Sequence, residues 1–146
     1  MIFSHLPVRK SLEPVGPGSL SSQLMFKGIE HTAIATSDPE ALGAWYEKIL
    51  DFSIVYRYSG NVFVRASDGT MLELIPSEGD RVELGMKSPG IRHLAVAVDD
   101  FDAGVKELES RGVEIFETID GGANKLAFFR DMEGNILHLI WREKSF

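Results

Sequence analysis

The stretch GIRHLAVAVDD, Gly90–Asp100, restates GIEHTAIATSD, Gly28–Asp38, at an offset of 62 residues. Ile29, His31, Ala33, Ala35 and Asp38 recur as Ile91, His93, Ala95, Ala97 and Asp100. A second pair of phrases, GTMLELI at Gly69–Ile75 and GNILHLI at Gly134–Ile140, repeats at an offset of 65, so the halves differ by a three-residue change in loop length. Self-similarity at a fixed spacing marks a duplicated structural unit. Each half reads as strand, helix and then several strands. The halves join through PSEGDRVELGMKSPG, Pro76–Gly90, whose Pro, Gly and charge content suits a surface connection.

The opening phrase of each half alternates with a period of two, which places successive side chains on opposite faces of a strand. Ile29, His31, Ala33 and Ala35 share one face, while Thr32, Ile34 and Thr36 share the other; His93 lies with Ile91, Ala95 and Ala97, opposite Leu94, Val96 and Val98. Bulky residues can cover a helix-packing side while small alanines leave room beside each histidine, which suggests a cup. A helix start follows each strand. Ser37-Asp38-Pro39-Glu40 supplies a cap, a first-turn proline and an early acid, and Asp99-Asp100 serves the second half. Leu42, Trp45, Tyr46 and Ile49, then Phe101, Val105 and Leu108, recur at helical spacing and read as core, with Gly112 placed to stop the second helix.

At 146 residues and 44% hydrophobic content, the chain is sized for one domain, here 25–146, built of module one (26–76), a linker (77–89) and module two (90–142). The first 24 residues hold three of the six prolines and no sustained periodicity, and read as an N-terminal arm in which His5 is a surface residue. Met25 is an alternative start. A net charge of −7 disfavours nucleic acid and anionic membrane as partners and points to a small molecule. No apolar run approaches the roughly 20 residues of a membrane span. The absence of cysteine excludes disulfides, thiolate metal sites and a cysteine nucleophile, and fits a cytoplasmic location. Ser59 and Ser67 have no base and acid in a recognisable order, and Gly121-Gly122 reads as a turn rather than a phosphate loop.

The last strand of each half carries the other unusual residue, Glu73 within MLELI and His138 within ILHLI. A carboxylate inside an apolar strand is costly to bury unless it is paired, hydrogen-bonded or metal-bound. Taken singly, each of His31, Glu73, His93 and His138 reads as a satisfied polar residue. Taken together, four potential metal ligands fall on the two equivalent positions of two repeats, so a metal site formed where pseudo-twofold symmetry brings the halves together is expected.

These phrases resemble the vicinal oxygen chelate superfamily, which includes glyoxalase I, methylmalonyl-CoA epimerase, extradiol dioxygenases and fosfomycin- and bleomycin-resistance proteins. The carriers are IEHTAI, SDPEALGAWYEKILDF, IRHLAVAVDDFD and FFRDMEGNILHLI, spanning Phe26 to Arg142. FFRDMEGNILHLI is similar to the family's hairpin with Met132 and Glu133 substituted. The resemblance implies an α+β fold of two tandem βαβββ modules, their sheets curled into a cup around a divalent ion. It matches His31, Glu73 and His93 to ligand positions, and puts His138 where glyoxalase I-like proteins carry a glutamate that shuttles a substrate proton. An imidazole can bind metal or act as a base near neutral pH.

The function implied is a metal-dependent lyase or isomerase of glyoxalase or epimerase type. A small oxygen-chelating substrate would lose a proton to form an enediolate stabilised by the ion, with Glu73 or His138 moving the proton. Three histidines and one carboxylate favour zinc, nickel, cobalt or iron over magnesium or calcium. Two other classes stay open: an iron dioxygenase using His31, His93 and Glu73, and a non-catalytic resistance-type binder. Weaker candidates for substrate contact are Phe63 and Arg65, which share a face of NVFVRA, together with Asn124 and Phe128. The family's habit implies a homodimer, with sites built within one chain or across two.

Overall fold

The computed structural model describes residues 25–146; the N-terminal arm, with His5, lies outside the described residues. Module one runs β1 (His31–Thr36), α1 (Pro39–Leu50), β2 (Ser53–Tyr58), β3 (Asn61–Arg65) and β4 (Met71–Pro76). Module two repeats the order as β5 (His93–Ala97), α2 (Phe101–Ser110), β6 (Glu117–Asp120), β7 (Asn124–Arg130) and β8 (Ile136–Arg142). Each module makes a four-stranded mixed sheet, ordered β1-β4-β3-β2 and β5-β8-β7-β6. The fold is therefore α+β, and the first strand of each module pairs in parallel with the last.

Both helices begin as their sequences dictate. Asp38 and Asp100 are extended N-caps whose side chains accept from Ala41 N and Ala103 N, each at 2.9 Å. α2 ends at Ser110, and Gly112 follows with φ +83°, a left-handed conformation that costs glycine little. The helical stripes are buried as their spacing predicts: Leu42, Tyr46 and Ile49 on α1, Phe101 and Leu108 on α2. They join Val62, Val64, Leu72, Leu74, Leu137 and Leu139, from the alternate positions of the strands, in one core shared by both modules. Each such side chain contributes about 1.5–3 kcal/mol by leaving water.

Buried and part-buried polar contacts join the modules. Tyr46 donates its hydroxyl to Asp131 Oδ2 at 3.2 Å. Glu133 accepts from the Thr36 hydroxyl and from Ser37 N and Oγ at 3.1 and 2.8 Å. Arg111, beyond α2, donates to Ile49 O at 2.9 Å and pairs with Asp51, which closes the C-terminal end of α1. β1 and β5 are edge strands of their own sheets and face one another across a seam. One end of the seam brings Thr32–Ala35 to Ile91–Leu94, and the other brings Ile29–Thr32 to Leu94–Val96, so the two strands run in opposite directions.

Candidate metal-binding pairs on the open sheet faces

The repeat fixes the site through strand register. In module one Ala33 lies opposite Glu73, Glu73 opposite Phe63, and Phe63 opposite Tyr56, giving one row across the sheet. In module two the corresponding row is Ala95, His138, Phe128 and Glu117. Ala33, Ala35, Ala95 and Ala97 are exposed while the intervening residues turn toward the core, so the histidine-bearing side of each first strand is the open one.

On module one His31 Nε2 lies 3.1 Å from Glu73 Oε2. The other Glu73 oxygen accepts from Asn61 Nδ2 at 2.8 Å, and the Phe63 ring meets the His31 ring edge-on at a centroid distance of 5.7 Å. Glu30 holds the Nδ1 side of the same imidazole. That hydrogen bond to Glu30, reinforced by the charges of Glu30 and Glu73, raises the His31 pKa from its ordinary value, with desolvation acting the other way. Asn61 escaped the sequence reading although it shares the face of Phe63 and Arg65 by the same alternation; its signal was its parity with those two.

On module two the His93 and His138 rings lie 4.8 Å apart between centroids, and Phe128 stacks at a tilt on His138 at 4.9 Å. His138 is 5% exposed. Burial lowers its pKa, opposed by the bond from Nδ1 to the Leu139 carbonyl at 3.1 Å, with smaller lowering contributions from His93 and Arg142. The neutral ring thus donates through Nδ1 and leaves Nε2 with a free lone pair, the form in which histidine binds a cation or accepts a proton.

Direct contacts join the candidate ligands as two pairs, His31 with Glu73 and His93 with His138. Among the described residues no three of His, Cys, Asp or Glu gather closely enough to hold an ion. Each pair nevertheless has donors suited to a transition metal: nitrogen and oxygen ligands bonded at about 2.0–2.2 Å to one ion sit about 3 Å from each other, close to the His31–Glu73 spacing. Of the weaker candidates, Phe63 and Phe128 flank the two pairs. Arg65 is exposed, with Nη2 3.5 Å from Met71 Sδ. Asn124 accepts from Arg142 at 2.7 Å at the far end of β7, four residues or about 13 Å from Phe128.

The sequence profile of the Glyoxalase/Bleomycin resistance protein/Dioxygenase superfamily matches residues 28–139. The chain belongs to that superfamily. It is similar to the uncharacterized protein YaeR of Escherichia coli K12, 35% identical over 127 residues that make up 80% of this chain and 97% of YaeR. In fold it resembles the lactoylglutathione lyase of Agrobacterium tumefaciens, with a TM-score of 0.62 and 21% identity over 80% of this chain and 95% of the lyase. It resembles equally TnmS3, an antibiotic binding protein from Streptomyces sp. CB03234, with a TM-score of 0.66 and 21% identity over 83% of this chain and all of TnmS3. One fold thus carries a lyase and a binder, and superfamily membership supports a function of glyoxalase, dioxygenase or resistance type.

Proposed function

We propose that this protein is a metal-dependent lyase or isomerase of glyoxalase or epimerase type. The observation that carries the reading is the matched pair of donor pairs, placed at equivalent registers of the two sheets. A divalent ion of the zinc, nickel, cobalt or iron kind, when bound, would supply Lewis acidity to a small oxygen-bearing substrate. His31, Glu73, His93 and His138 are the residues that would hold it.

The chain's own groups account for the rest of the chemistry. Glu73 keeps one oxygen on Asn61, which aims the other toward His31 and leaves a carboxylate able to take a proton next to a carbonyl. His138, kept neutral by its burial, would accept or return the proton only when displaced from the ion, because Nε2 carries its one free lone pair. Phe63 and Phe128 exclude water beside the two pairs, and the alanines of β1 and β5 leave space for the substrate. Because the pairs do not close on each other within one chain, we read the complete site as built by a homodimer in which module one of one protomer faces module two of its partner.

The test is elemental analysis of untagged protein purified without chelator, beside His31→Ala and His93→Ala. The expected result is one ion per chain, lost in both variants, with isomerase and lyase substrates as the next assays. Unchanged metal in both variants overturns the assignment. Iron with oxygen uptake would move the reading to a dioxygenase. A small molecule bound equally well with and without metal would move it to a resistance-type binder.

A further inference from the structure

A cavity of about 270 Å³ lies in the β1–β5 seam, between Thr32–Ala35 and Ile91–Leu94, with the linker residues 81–84 against it. Arg81, Arg92 and Arg130 all line this cavity, in a chain whose net charge is −7. Their partners leave positive charge in excess. Arg81 donates to Asn135 Oδ1 and Gly134 O, each at 3.2 Å, and lies 3.4 Å from Glu83, a carboxylate on the same cavity. Arg130 donates to Gly134 O at 2.9 Å and sits over the Phe116 ring at 5.3 Å. Neither contact offers Arg130 a carboxylate. Arg92 Nε is buried and, among the described residues, has no hydrogen-bond partner.

Two arginines elsewhere in the fold are closed by carboxylates. Arg57 meets both oxygens of Glu40, and Arg111 is held by Asp51 and Glu107. Arg81 and Arg130 are exposed and Arg92 is half-buried, so their charge is open to a ligand, and planar guanidinium donors match carboxylate and phosphate oxygens two at a time. The edge of β1 adds to this, because among the described residues β4 is its sole neighbour in the sheet and its other side meets the seam. Unpaired backbone N–H groups are anion donors as well. The volume falls just under the roughly 300 Å³ where drug-sized pockets begin, so it suits a small group.

We infer that this seam cavity is a binding site for a small oxyanion, the carboxylate or phosphate group of a metabolite, held by Arg81, Arg92 and Arg130. It needs no metal, and it stands or falls separately from the proposed enzymatic reading. His93 lines the same cavity. A bound oxyanion would therefore sit beside one wall of the second donor pair.

The experiment is calorimetric titration of chelator-treated full-length protein with inorganic phosphate and, separately, with malonate. Saturable binding of one ion per chain is expected, with Kd on the order of 1 mM or below. It should weaken about tenfold or more in Arg130→Gln and in Arg92→Gln, and hold in Arg57→Gln. Arg130 is exposed, so its variant keeps the fold should Arg92→Gln fail to. A preference for phosphate or for malonate identifies which oxyanion the cavity takes. Absence of heat with both probes overturns the inference, as does equal affinity in wild type and Arg130→Gln, or an equal loss in Arg57→Gln.

Discussion

At the scale of single residues, the two proposed donor pairs differ in one position, Glu73 against His138, and the surroundings of the two residues differ with it. Glu73 shares its proton-accepting oxygens with Asn61 and His31, whereas His138 is packed under Phe128 with its Nδ1 committed to the backbone. His138→Glu is expected to keep the metal content of the wild type and to preserve or raise proton-transfer turnover, read by metal stoichiometry and by exchange of substrate hydrogen with deuterated solvent. Loss of all metal in that variant would make the imidazole structurally required. Asn61→Ala removes the bond that orients Glu73. Partners behind a ligand are commonly worth about 10–100-fold in metal affinity, so a competition titration should show a weakening of that order with an unchanged melting temperature. The repeated histidines were legible from sequence because each interrupts an apolar alternation at matching positions. Asn61 offered only its parity with Phe63 and Arg65, and Glu30, just before β1, gains meaning only once its side chain is placed against His31 Nδ1.

At the scale of elements, the helices and the first and last strands of each module follow from caps and periodicity, while their ends follow from backbone conformation. The repeated phrases predict strands from Gly69 and Gly134, yet β4 begins at Met71 and β8 at Ile136. Both glycines adopt positive φ, +93° and +86°, and so belong to the preceding turns. β2 was the least legible strand in module one, because an irregularity between Ile54 and Tyr56 breaks its alternation and carries Tyr56 opposite Phe63. The substituted hairpin shows how a local change acts at a distance. Glu133 reaches the end of β1, and its hydrogen bonds from Thr36 and then Ser37 hold its carboxyl below the ordinary glutamate value. A carboxyl with a depressed folded pKa contributes stability above its unfolded pKa, and that contribution disappears as pH falls through the folded value. The wild type should therefore lose stability relative to Glu133→Gln as pH drops from about 5 toward 3. Urea midpoints measured across that range check it; parallel curves for the two proteins would remove Glu133 from the link between modules.

At the scale of the whole molecule, duplication made the α+β class and the two-module build legible, but it held no information on how the modules meet. A period specifies each unit's fold and says nothing of the interface between units. That interface depends on Tyr46 with Asp131, Glu133 with β1 and Arg111 with α1, contacts between residues that the repeat does not relate. Its outcome leaves His31 and His93 exposed, alongside Tyr56, Tyr58, Ile91 and Ile119. Exposed apolar side chains grouped on one side of a sheet are an expected contact surface for a second chain. If module one of each protomer completes a site with module two of its partner, His31→Ala and His93→Ala damage opposite walls. A mixed dimer then keeps one intact site, formed by module one of the His93→Ala chain and module two of the His31→Ala chain, while its other site lacks both histidines. Each variant alone should bind no metal, and refolding the two together should restore about one ion per mixed dimer, which is about a quarter of the wild-type content when chains pair at random. Sites built within single chains would give no recovery at any ratio, because every chain would carry its own lesion. Differently tagged variants, co-purified on both tags before elemental analysis, isolate the mixed dimer and separate the two architectures by one ion or none.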